Sequence, residues 1–158
     1  MKLLTKLSYL LACTFLLIFI NCGGGSEGDP IAEDPLTKQV SDLLAAQTWR
    51  VSSVTNDGNV RDEWSDFTIK FTSNSTYTGG TYATTGIPSE DSDKLVWKTS
   101  GSWTFGSDGT SPSSIVRNDG VECALTATAT AANIAMTIAD PAGRADGFYG
   151  NWVFKLVP

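Results

Sequence analysis

The feature that most restricts the fold of this chain is a two-residue alternation of apolar and polar side chains. It recurs from residue 48 to the C-terminus and is broken at short intervals by turn-forming triplets. A strand turns successive side chains to opposite faces, so such alternation marks a ribbon with one buried and one wet face. Phe67, Ile69 and Phe71 alternate with Asp66, Thr68 and Lys70. Val121, Cys123, Leu125 and Ala127 share one face, as do Ile134, Met136 and Ile138, and Trp152, Phe154 and Leu156 within Asn151 to Val157. Thr48 to Val54, Ser75 to Thr84, Leu95 to Phe105 and Ser114 to Arg117 read as the remaining strands, with Gly79-Gly80 marking a bulge or bend and Leu95 to Phe105, one long strand broken at Gly101 or two short ones, counted once. Asn56-Asp57-Gly58 and Asn118-Asp119-Gly120 are hairpin signals.

Eight strands therefore follow one another through short turns. Ahead of them Leu36, Val40, Leu43 and Leu44 fall at helical spacing, which predicts one amphipathic helix ending near Gln47, capped by Thr37 or Asp34. The simplest architecture is all-β: an antiparallel up-and-down barrel of about eight strands preceded by one short helix, occupying residues 36–158. Closure removes exposed sheet edges. A two-sheet sandwich is the competing arrangement.

The N-terminus follows a different logic. Lys2 and Lys6 precede an apolar run from Leu10 to Ile20, the layout of a secretory signal and too short for a comfortable span of ~20 apolar residues. The run stops at Asn21-Cys22, and Gly23-Gly24-Gly25-Ser26 opens a polar stretch. This arrangement resembles a bacterial lipoprotein signal, although Asn21 and Phe19 stand where a small residue and Leu are preferred. The resemblance implies cleavage after residue 21 and lipidation of Cys22, with residues 22–35 as a flexible tether. Each buried CH₂ of an acyl chain contributes ~0.8 kcal/mol, so two or three chains anchor durably. An ordinary signal cut near Gly25, or an uncleaved anchor, is the alternative. No acid directly follows Cys22, which by the same resemblance favours the outer membrane of a bacterial envelope.

Composition narrows the function. The 158 residues include no histidine, which removes the commonest general base and metal ligand together. The formal charge is −6, and a domain this acidic should be repelled by nucleic acid. Only Cys123 among the three cysteines belongs to the folded part, where it reads as a small buried hydrophobe. No histidine can activate a serine, no Gly-x-Ser-x-Gly elbow is present, and no pair of carboxylates is singled out, so no enzyme, cofactor or metal is expected. Glu90-Asp91-Ser92-Asp93 could hold calcium but reads more simply as a solvated acidic turn.

The run Leu43-Leu44-Ala45-Ala46-Gln47-Thr48-Trp49-Arg50-Val51 resembles the opening of lipocalin-like domains, with Gln47 at the place of the usual Gly. Ser100-Gly101-Ser102-Trp103-Thr104-Phe105 and Ile115-Val116-Arg117-Asn118-Asp119-Gly120 are similar to elements of small lipocalin-like lipoproteins of Bacteroidetes. The resemblance implies that Trp49 seals one barrel end, with Lys155 the candidate base against it.

Five tryptophans, Trp49, Trp64, Trp97, Trp103 and Trp152, are many for such a domain. Inward aromatics either fill a barrel or line a cavity, and Tyr77, Tyr82, Trp97, Trp103 and Phe105 are the candidate ligand-lining set. Two functions follow as expectations: a lipid-anchored module holding a small apolar ligand, or a surface glycan- or protein-interaction module using exposed rings such as Trp64 and Tyr149. A structural envelope lipoprotein without a ligand stays open beside them.

Overall fold

The computed structural model describes residues 34–91, 94–106, 108–140 and 147–158. The signal segment, Cys22 and the tether through residue 33 lie outside the described residues, and Asp34–Pro158 forms a compact unit of its own. Among the described residues no helix is long and apolar enough to cross a membrane.

One helix, α1 (Leu36–Ala45), leads into nine strands: β1 (Thr48–Asn56), β2 (Asn59–Val60), β3 (Thr68–Ser73), β4 (Gly79–Thr85), β5 (Ser100–Phe105), β6 (Ser114–Arg117), β7 (Glu122–Ala127), β8 (Ala132–Ile138) and β9 (Gly150–Val157). β2 is a two-residue fold-back on the end of β1, with Thr55 opposite Val60, and is not a stave of the barrel. The other eight strands pair antiparallel in chain order.

The ring closes through β1. Its first residues, Thr48 to Arg50, pair with Lys70 to Thr68 of β3, while Arg50 to Asn56 pair with Val157 to Trp152 of β9. A register shift between Val51 and Ser53 marks a bulge, which bends the strand so that it can serve two neighbours. This closure makes the architecture an eight-stranded barrel and sets the sandwich aside.

Alternation places the core as the sequence implies. Ile69 and Phe71 of β3, Cys123 and Leu125 of β7, Ile134 and Met136 of β8, and Trp152, Phe154 and Leu156 of β9 are all buried. The β1–β2 turn carries Asp57 at φ 47° and Gly58 at φ 81°, the paired positive values of a tight hairpin whose twist matches its strands.

Three local expectations are corrected. The helix starts after Pro35 with no side-chain cap, because Asp34 is engaged by Lys38 (3.0 Å) and Thr37 makes no capping bond. β4 begins at Gly79, not Ser75, since the Asn74 side chain closes residues 74–78 into a turn by accepting from the Thr78 backbone N–H (3.1 Å). β5 begins at Ser100, and Leu95 to Thr99 lie outside any ladder. The Asp91 carboxylate accepts from the Leu95 and Val96 backbone N–H groups (2.6 and 3.1 Å), and Lys94 adopts φ 54°. Together they turn the chain inward, so Val96 and Trp97 enter the core.

The barrel has two unlike ends. α1 packs on β3 beside the β3–β4 turn, where Ser41 and Ser73 share a hydrogen bond (2.5 Å), and Gln47 reaches the β7–β8 turn at Ala129. Antiparallel alternation puts residues 57–67, 86–91, 94–99, 118–121, 139–140 and 147–149 at the opposite, far end.

Candidate functional site

The residues expected to line a cavity do converge inside the barrel, but as packed rings. Tyr82, Trp97, Trp103 and Phe105 are all buried. Trp103 meets Phe105 (4.9 Å between ring centroids) and Phe71 (5.9 Å). Tyr82 meets Trp97 (5.4 Å), and Trp97 meets Phe67 (5.8 Å) and Phe154 (6.0 Å). These are edge-to-face and tilted contacts at the separations aromatic pairs prefer, so each ring fills the space its neighbour leaves.

Tyr77 stands apart from this set. It lies in the β3–β4 turn at φ 56°, half-buried, with the Lys38 ammonium 5.2 Å from its ring. Reading Ser75 to Thr84 as strand placed it in a ladder, but the turn begins before it does.

Trp64 also departs from expectation. It was the exposed ring of the surface-binding reading, yet it is 0 % exposed. A 3₁₀ turn, Asp62–Trp64, keeps Asp62 and Glu63 in water and swings the third residue inward onto Phe67 (5.5 Å), Trp152 (5.5 Å) and Phe154 (5.3 Å). Tyr149 is partly buried, and its carbonyl accepts from Asn56 Nδ2 (3.1 Å). Trp49 is buried beside the end of α1 and donates from Nε1 to the Leu44 carbonyl (3.0 Å).

The inward base is not Lys155, which is exposed on the outer surface, but Arg117. Its Nε and Nη2 donate to the Asp119 carboxylate, and Nη1 donates to the Val96 carbonyl (2.5 Å). Its guanidinium lies 4.8 Å from the Trp97 ring, a cation–π contact in a dry setting. A buried arginine is tolerable only when its donors and charge are matched, and this one is. The signal was present in the sequence: Arg117 shares the parity of the inward Ile115, and an acid follows two residues later.

The acidic run changes character too. Asp91 is 1 % exposed, and both of its oxygens are taken by backbone N–H groups, so it organises the loop and is not a solvated turn residue. Ser92 and Asp93 lie outside the described residues. Among the described residues no group of three His, Cys, Asp or Glu is placed to hold a metal ion.

Cys123 is fully buried, with Met136 Sδ 3.8 Å from its sulfur, and burial pushes its thiol up to about 12. Since the thiolate is the reactive form, Cys123 should resist alkylation at pH 8 in the native protein and react fully once unfolded. Mass spectrometry of iodoacetamide-treated samples with and without denaturant checks this. Rapid native labelling would mean that the β7–β8 core opens.

Concave surface lies on the outside. A groove of about 650 Å³ runs along the outer faces of β6 to β9, lined by small side chains including Ala124, Ala135, Thr137 and Val153. A second, of about 330 Å³, continues it past Ser113 and Asn133.

No protein-family model and no curated protein matches this chain. The closed antiparallel barrel behind a leading helix is lipocalin-like in general terms.

Proposed function

We propose that this protein is a lipid-anchored module of a bacterial envelope that works through the outer surface of a solid barrel: no described aromatic ring is exposed to stack on a sugar, and the groove along β6 to β9 is the surface offered to a protein partner. The observation that carries this reading is the interior. Ring centroids of Trp64, Phe67, Trp97, Trp152 and Phe154 stand 5.3 to 6.0 Å apart through the far half of the barrel, which favours filling over cargo. Catalysis plays no part in it, because the chain lacks histidine and no spacing selects a carboxylate pair.

Anchoring rests on the signal-like N-terminus with Cys22 at its end, and the outer membrane is favoured by the absence of an acid after that cysteine. Complete alkylation of the denatured mature protein should therefore label one thiol, Cys123. Two labelled thiols would remove the anchor from the proposal.

Native mass spectrometry of the full chain, purified gently from its own envelope, tests the solid barrel. The expected mass is that of the polypeptide with its acyl groups. An additional apolar molecule, present in fixed ratio and lost on denaturation, would overturn the surface reading and restore the carrier.

A further inference from the structure

We propose that the far end of the barrel holds a small oxygen-bearing guest, hydrogen-bonded between the Tyr82 phenol and the Trp97 indole. Among the described residues three buried polar side-chain atoms have no hydrogen-bond partner: Trp64 Nε1, Tyr82 Oη and Trp97 Nε1. The other three indoles are all paired, Trp49 to the Leu44 carbonyl (3.0 Å), Trp103 to the Thr81 carbonyl (3.1 Å) and Trp152 to the Phe148 carbonyl (2.8 Å). Of the three residues, Tyr82 and Trp97 have rings in contact. Leaving a buried donor unpaired costs more than its bond is ordinarily worth.

The surroundings define the guest. Tyr82 and Trp97 meet edge to face at 80°, and Arg117 lies over the Trp97 ring. Each nitrogen of the arginine already donates, to Val96, Asp119 or Met136, which leaves one Nη2 hydrogen, so it bears on the guest chiefly through charge. That charge disfavours a cation. An indole N–H only donates, so the guest must present a lone pair, while the phenol can give or take a proton. Burial pushes the Tyr82 phenol above its ordinary range, although Arg117 opposes this, and the hydroxyl stays protonated to donate.

Access is short. A Cβ on Gly101 would lie 2.7 Å from Tyr82 Oη and 2.5 Å from Asn118 Oδ1, so the phenol packs over this glycine and its hydroxyl reaches the barrel rim beside Asn118. Asn118 itself is exposed. Water and a small solute with a hydroxyl, carbonyl or carboxylate oxygen share this chemistry. Neither is the apolar cargo that would overturn the proposed function, so the two ideas fail separately.

Tyr82→Phe in the full chain gives the decisive sign. With a guest bound, losing the hydroxyl removes a hydrogen bond, and Tm should fall by several degrees. An unchanged or higher Tm would overturn the proposal, because deleting an unpaired buried hydroxyl relieves a penalty. A crystal structure fine enough to show ordered water should place density about 3 Å from both Tyr82 Oη and Trp97 Nε1. Empty space there would also overturn it. With that density present, a small added mass in native spectra identifies a solute, and the bare mass identifies water.

Discussion

Phe154→Ala should cost about 3–5 kcal/mol of unfolding free energy, a large part of the ~5–15 kcal/mol that holds a domain of this size together. Phe154 is fully buried on β9 and stands between Trp64 (5.3 Å), Phe67 (5.3 Å), Trp97 (6.0 Å) and Trp152 (6.0 Å). Truncation removes the transfer free energy of the ring, leaves a void its neighbours cannot close, and deletes several aromatic contacts. Urea denaturation should show a lower midpoint at unchanged slope, because the surface exposed on unfolding is nearly the same. The magnitude also bears on function. If the rings lined an existing cavity, the change would only enlarge it, and the cost would drop toward the transfer term of ~2 kcal/mol. A loss that small would count against the solid barrel and for a carrier.

Asp119→Ala should be the second severe change, at about 3 kcal/mol, because it strands the Arg117 guanidinium in the core. The lower end of the usual range applies since Asp119 keeps 25 % of its side chain exposed, whereas Arg117 keeps none. Arg117→Met is expected to be milder. It removes the charge with its need for a partner and keeps an unbranched chain against Trp97. If Arg117→Met proved the worse of the two, the arginine's bond to the Val96 carbonyl would be the larger contribution.

The same pair sets an acid limb. Partial burial pushes the Asp119 carboxyl up, but the hydrogen bond and charge of Arg117 and the Val121 backbone N–H outweigh it, and the net shift is downward. A lowered carboxylate contributes stability that is present above its unfolded value, near ~3.9, and is lost as pH falls through the folded value. Denaturation midpoints measured below pH 4 should therefore fall less steeply for Asp119→Ala than for the unaltered protein. Equal slopes would mean that other carboxylates govern acid unfolding.

Each failed expectation has its own local cause. Composition points to strand at Tyr77 and at Leu95 to Thr99, but side-chain bonds from Asn74 and Asp91 to nearby backbone N–H groups offer the chain an alternative to the ladder. Trp64 reads as an exposed loop ring from the sequence, yet a single 3₁₀ turn rotates it inward, away from Asp62 and Glu63. Arg117 was missed because a charged residue at an inward position looks like a break in the pattern until its partners are seen.

The sequence by itself determined which face of each strand turns inward, because side-chain direction has a period of two and needs only neighbours along the chain. It determined the order of the strands and the hairpins at Asn56-Asp57-Gly58 and Asn118-Asp119-Gly120 for the same local reason. Closure was decided by the tertiary structure, since β1 must bend at its bulge to meet a strand about a hundred residues away. Whether a barrel is filled or hollow is likewise a matter of tertiary structure. That choice compares the volume a closed barrel encloses with the summed volume of rings arriving from Trp64, Phe67, Tyr82, Trp97, Trp152 and Phe154, and no local pattern encodes such a difference.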